Sequence, residues 1–156
     1  MAHQAQQYML DDNLLLSAAT LVAADAAGSV AYIDLGAANA FAEFDVVVKW
    51  TACEVASGDE KYEFLVQGCE ATNFTTEYVL GRAILGDATV TFQPVDTPPA
   101  GQIAIHCDNT AHTSATDGAS IVACRYVRIY LDVTGSIASG INYSAYLVPR
   151  NPLGVA

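Results

Sequence analysis

Hydrophobic and polar positions alternate with a period of two along most of this chain, most clearly in its last third. From Tyr126 to Val133, the residues Val127, Ile129, Leu131 and Val133 fall on one side, and Arg128, Tyr130 and Asp132 on the other. Ile141 to Val148 is a second such run. The stretch Thr134-Gly135-Ser136-Ile137-Ala138-Ser139-Gly140 between them permits a chain reversal, because Gly takes positive φ without a Cβ penalty. β-Branched residues on the apolar side of a two-residue period predict half-buried antiparallel strands. Upstream, Phe44 to Cys53 sets Phe44, Val46, Val48 and Trp50 against Asp45, Lys49 and Thr51. Tyr62 to Gln67 sets Tyr62, Phe64 and Val66 against Glu63, Leu65 and Gln67. Ser57-Gly58-Asp59-Glu60 between these two is a reverse-turn sequence, so they are expected to pair as a hairpin.

Weaker strand patterns cover Thr20 to Ala24, Val30 to Leu35, Thr75 to Ile84, Thr89 to Val95 and Gln102 to Cys107. Thr97-Pro98-Pro99-Ala100-Gly101 separates the last two, since Pro lacks the ladder donor. Asp108 to Ala123 reads as a polar loop. The whole makes about eight or nine short strands at spacings typical of an antiparallel β-sandwich or jelly roll, an all-β fold. Residues 1–16 lack a period and form an N-terminal arm whose apolar end is Leu14, Leu15 and Leu16. Residues 17–148 form the sandwich domain. Residues 149–156, with Pro149 and Pro152, form a C-terminal tail that cannot continue a central strand.

Composition narrows the class. The chain has 156 residues, a size for one domain with its own core, and 53% of them are hydrophobic. No run approaches the roughly 18 apolar residues of a membrane helix, so no membrane partner is expected. Asp and Glu outnumber Lys and Arg by 17 to 6, for a formal charge of −11. Such a surface repels phosphate backbones, which excludes nucleic acid as a direct partner. The N-terminus has neither the basic nor the apolar region of a secretory signal, which points away from an oxidising compartment. Cys53, Cys69, Cys107 and Cys124 never form C-x-x-C. Cys107 and Cys124 bracket the polar loop and stand either as two buried thiols or as a bridge across its base.

Catalytic chemistry finds no footing. His106-Cys107-Asp108 has the H-x-D spacing of facial-triad iron sites, but His3 and His112 are badly placed to supply the second histidine. Neither a metal nor any other cofactor is expected. There is no G-x-S-x-G, and Asp87 stands where a phosphate-binding loop needs Lys. Asn73-Phe74-Thr75 and Asn142-Tyr143-Ser144 match the glycosylation sequon by chance in a chain without a signal. The protein is therefore not expected to be an enzyme. Tyr126 and Tyr130 share a face with Arg128, a composition suited to a protein interface, to a sugar-stacking platform or to a half-buried sheet layer.

Several stretches together resemble the jelly-roll cement, or decoration, proteins of tailed bacteriophage capsids. They are Asp11-Asp12-Asn13-Leu14-Leu15-Leu16-Ser17 in the arm, Val30-Ala31-Tyr32-Ile33-Asp34-Leu35-Gly36, the strands from Phe44 to Gln67, and Arg125-Tyr126-Val127-Arg128-Ile129-Tyr130-Leu131. The resemblance implies a noncatalytic structural protein, made in the host cytoplasm and carried on the outer surface of the virion. Its implied partners are the major capsid protein, whose subunits it bridges, and itself, as a homotrimer. Leu14, Leu15, Leu16, Tyr126, Arg128, Tyr130 and Leu153 are the candidate interface residues. The alternative is a jelly-roll carbohydrate- or receptor-binding module.

Overall fold

The computed structural model describes residues 12–36, 43–55, 57–86, 100–115 and 118–150, with the side chains of 112–120 outside that description. Within them the protein is an antiparallel β-sandwich. A 3-10 turn at Asp12–Leu14 leads into β1 (Leu15–Val22). There follow β2 (Ala26–Ala27), β3 (Ile33–Asp34), β4 (Glu43–Cys53), β5 (Lys61–Cys69), β6 (Tyr78–Gly86) and β7 (Gly101–Asp108). The chain closes with β8 (Thr110–Ala115), β9 (Gly118–Ala123), β10 (Tyr126–Thr134) and β11 (Ile141–Pro149). One sheet has the order β1-β11-β4-β7. The other has β2-β10-β5-β6, with β3 also on β10, and β8 and β9 form a separate two-stranded ribbon.

Alternation decides which side chains face inward. Val127, Ile129 and Leu131 of β10 and Tyr62, Phe64 and Val66 of β5 are buried, as are Phe44, Val46, Val48 and Trp50 of β4. From β11, Ile141, Tyr143, Ala145 and Leu147 complete the layer, and Leu16 and Ile105 close its margins. Phe64 and Tyr143 meet edge to face across the two sheets, with centroids 5.1 Å apart and planes at 67°. Such a pair adds roughly 0.5–1.5 kcal/mol beyond its area burial.

Within the described residues the strands predicted from the alternation are present, but the one expected pairing is not made. Phe44 to Gln67 is no hairpin: β4 pairs with β11 and β7, while β5 pairs with β10 and β6 in the opposite sheet. The Ser57–Glu60 turn therefore carries the chain between sheets. Likewise β10 and β11 lie in different sheets. A turn signal specifies that the chain bends, whereas both inward faces here belong to one core, and facing sheets satisfy that as well as a ladder does. The polar loop at Asp108–Ala123 is in fact largely the β8–β9 ribbon, paired from Thr110↔Ala123 to Ala115↔Gly118. Its Thr, Ser and Ala residues gave no apolar alternation to read. Strand β1 starts at Leu15, so the apolar end of the expected arm belongs to the sandwich. The strand expected at Thr89–Val95 lies outside the described residues. All four cysteines are free thiols.

The two ends of the sandwich are built differently. At one end Glu54 reaches across to the 138–140 turn. Its Oε2 accepts from the backbone N–H groups of Ala138 (2.9 Å), Ser139 and Gly140 (2.8 Å). These bonds hold its carboxyl below the usual carboxylate range. Asp59 accepts from Ser136 N (3.1 Å) and Ser136 Oγ (2.9 Å), and Glu60 Oε1 from Ser57 N (2.7 Å). Gly135 and Gly140 have φ of 105° and 83° there, and a Cβ on either would lie about 2 Å from a carbonyl oxygen, of Asp59 and Val22 respectively. Only glycine fits these crossings.

The opposite end is where the described chain begins and ends. Leu15 pairs with Tyr146, Arg150 N donates to Glu43 O (3.1 Å), and β7 runs out at Asp108 opposite Glu43 into the β8–β9 ribbon. Asp12, Arg150 and the ribbon thus lie at one end of the described body.

Candidate interaction face

The outer face of the five-stranded sheet gathers three of the expected interface residues. Register sets them in rows across β10, β5 and β6: Arg128 with Gln67 and Val79, Tyr130 with Leu65 and Arg82, and Asp132 with Glu63 and Ile84. Tyr126 sits at the end of this face. Period-two parity alone puts Tyr126, Arg128 and Tyr130 together, and all three are half-buried.

Arg128 is held rigidly. Its Nε donates to Gln67 Oε1 at 2.8 Å, and its guanidinium lies 4.3 Å from the Phe74 ring centroid and 5.9 Å from that of Tyr130. Phe74 is buried at the tip of the 70–77 loop. Among the described residues it is the sole non-glycine with positive φ, at 49°. Such a backbone costs on the order of 1–3 kcal/mol unless its surroundings impose it. Here an Asx turn does so, with Asn73 Oδ1 accepting from Thr75 N (3.3 Å) and Thr75 Oγ1 (3.2 Å). The outcome is a planar cation stacked on a buried ring, flanked by a phenol.

At the arm-bearing end Arg125 donates from Nε and Nη2 to the two carboxylate oxygens of Asp34, both at 2.8 Å. That fork, with Gly36 N–H as a second donor, holds the Asp34 carboxyl down to about 2. Arg125 also lies 5.1 Å from the Tyr126 centroid, and Tyr32 packs edge-on against Tyr126 at 5.0 Å. On the neighbouring sheet Asp45 takes His106 Nδ1 at 3.2 Å and Arg150 Nε at 3.4 Å. Lys61 and Arg82 both meet Glu63, at 2.7 and 3.3 Å. Most of the scarce cations are thus already engaged, so the acidic surplus dominates what the surface offers.

The leucine triplet divides. Leu16 is fully buried in the core, Leu14 packs against the core's margin, and Leu15 pairs with Tyr146 on the outward side of the four-stranded sheet. They sit on a different sheet from the Tyr/Arg face. Leu153 lies outside the described residues. Sequence reasoning missed Phe74, Val79 and Ile84. Phe74 carried a signal in its Asx-turn setting, whereas Val79 and Ile84 read as ordinary strand residues until their exposure, 53% and 44%, is seen.

Among the described residues no three His, Cys, Asp or Glu side chains are placed to hold a metal ion, and no helix is long and apolar enough to cross a membrane. Burial pushes the Cys107 thiol up to about 12 and those of Cys53 and Cys124 up to about 11, so all three are poor nucleophiles near neutrality. An open cleft of about 450 Å³ at the closed end is lined by Leu21, Ala52, Cys53, Glu54, Val55, Ser139 and Gly140. Its carboxylate is the one already bound to three backbone donors. Comparison with known proteins gives no match: no protein family fits the chain, and no characterised protein aligns with it.

Proposed function

We propose that this protein is a noncatalytic cement protein that binds the outer surface of a phage capsid, bridges major capsid subunits and stabilises the shell. The observation that carries the reading is the strand order. Strands β1, β11, β4 and β7 in one sheet and β2, β10, β5 and β6 in the other are an order that fits the jelly roll that the sequence resemblance implies. Two further features fit. The first and last described residues, Asp12 and Arg150, lie at one end of the body. The Tyr126–Arg128–Tyr130 face has the composition of a protein interface, with its arginine pre-organised. A homotrimer seated on the shell is the proposed assembly. A carbohydrate-binding role would use the same tyrosines, but Tyr126 is already packed by Tyr32 and Arg125, which removes part of a flat stacking platform.

The test is rupture of shells with and without the protein. A ligand that binds only the intact state stabilises it by mass action. Depleted shells should open at lower temperature, and added protein should restore them. Equal rupture of both, together with binding to a defined glycan, would establish the receptor-binding role instead.

A further inference from the structure

The sandwich has two flanks, and they are finished differently. On the β1 flank the sheets are laced together. Val30 N donates to Leu16 O (3.3 Å), Gly28 N to Ile129 O (2.9 Å), Ala18 N to Ser29 Oγ (2.7 Å) and Ser29 N to Ser17 Oγ (3.3 Å). Strand β1 is also irregular, with register shifts at Leu15/Ser17 and Ser17/Thr20, and β2 and β3 have two residues each. Bulges, brevity and cover are the ordinary protections of a sheet edge. On the opposite flank β6 carries one irregularity, a bulge at Leu80 opposite the Val66/Gln67 step, and the β8 strand approaches it. Strand β6 is nine residues long and contains no proline and a single charge, Arg82. Among the described residues its backbone ladders only with β5. Val79 and Ile84 stand exposed along it. An edge of this length that no described strand pairs is a template for another strand.

We propose that β6 is a strand-addition site, filled by the N-terminal segment, residues 1–11, of a second copy of this chain. Length and position select that occupant. Met1 to Leu10 contains no Asp, Glu, Lys, Arg or Pro, so it adds no like charge to a body of net −11 and keeps every ladder donor. Eleven extended residues span about 36 Å, and covering nine residues of β6 takes about 30 Å. A molecule's own segment starts beside β1, three strands across one sheet and one sheet away from β6. That crossing uses about 17 Å, roughly five residues, and too few remain to cover the edge. A second molecule's segment has no such detour. The tail 151–156 is too short and carries Pro152. The inference rests on the self-association in the reading above and not on the capsid.

Residue-resolved hydrogen exchange tests it on the full chain, on a variant lacking Ala2–Asp11, and on that variant with a synthetic peptide of residues 1–11. In the full chain the β6 amides facing away from β5 should slow with rising protein concentration, by roughly ten-fold at about ten times the Kd. The deletion should abolish the slowing and the peptide should restore it. Val79→Lys with Ile84→Lys should blunt both while the β4 and β10 amides stay protected. Three results would overturn the proposal. Unchanged β6 exchange in every sample means an empty edge. Slowing that survives the deletion means that the body of another copy takes it. Slowing that is lost on deletion yet independent of concentration means that the chain's own segment takes it. Shell rupture with the double lysine variant is read separately, so loss of strand addition and loss of capsid binding are distinguishable.

Discussion

At one end of the sandwich, carboxylates reach across the crossings and take backbone N–H groups. At the other, among the described residues, Asp34 and Asp108 each take a single N–H group two residues along, from Gly36 and Thr110. Glu54, Asp59 and Glu60 serve the first end, and together they satisfy donors that the turns at Ser57 and 136–140 would otherwise leave unpaired. The second end keeps its ion pairs for side chains, Asp34 with Arg125 and Asp45 with Arg150. The acidic surplus is therefore partly structural: some of the 17 carboxylates stand in for main-chain acceptors. The difference teaches that this fold concentrates its carboxylate-to-backbone bonds at the end away from Asp12 and Arg150.

Both ends share one core, and Leu131→Asp at its centre should erase the distinction altogether. An unpaired buried charge costs several kcal/mol against a total stability of about 5–15, so far-ultraviolet circular dichroism should show loss of the native strand signal. The next largest effect belongs to the closed end. Gly140→Val places a branched residue at positive φ, costing about 1–3 kcal/mol for the backbone alone, and drives its Cβ into Val22 O. Thermal melting should fall markedly, and an unchanged melting temperature would show that this crossing is not rigid.

Acid should separate the two ends more finely. Glu54 and Asp34 both have lowered folded pKa values, so each contributes stability present above its unfolded pKa and lost as pH falls through the folded value. For Asp34 that loss runs from about pH 4 down to about 2. Glu54→Gln should lower the melting temperature at pH 7 and flatten its fall below pH 5. Asp34→Asn should act at the other end, leaving exchange at 138–140 unchanged. In the alkaline direction the raised thiol pKa values mean that the unfolded chain loses its protons first, so stability should decline above about pH 9.

Arg128→Ala removes the stack on Phe74 and should cost about 1 kcal/mol, with the larger effect on exchange in the 70–77 loop. The smallest effect on stability is expected from deleting Ala2–Asp11: no change in melting temperature of the dilute protein, but weaker rescue of depleted shells. A large loss of intrinsic stability on that deletion would break the contrast between the ends.

Much of this was legible from alternation. Val127, Ile129 and Leu131 had to face a core because a half-buried strand has a period of two, and Tyr126, Arg128 and Tyr130 then had to share the other face. Strand pairing was not legible in the same way. The Ser57–Glu60 bend looks identical whether the next strand returns beside β4 or crosses to the facing sheet, and the choice is made by β11, some ninety residues later in the chain. The exposure of Ile84 was equally hidden, since nothing in a strand's own sequence says whether it ends up as a sheet edge.

One pairing described above also constrains when the protein comes into being. Strand β1 ladders with β11, Leu15 opposite Tyr146, and β11 is itself an inner strand of its sheet. A nascent chain therefore holds its first strand idle until β11, more than 120 residues downstream, has been made. At synthesis rates of about 5–20 residues per second, that wait is on the order of ten seconds. Chains released early lack the strand between β1 and β4 and cannot close the four-stranded sheet. Synthesis of β11 thus acts as a checkpoint on folding.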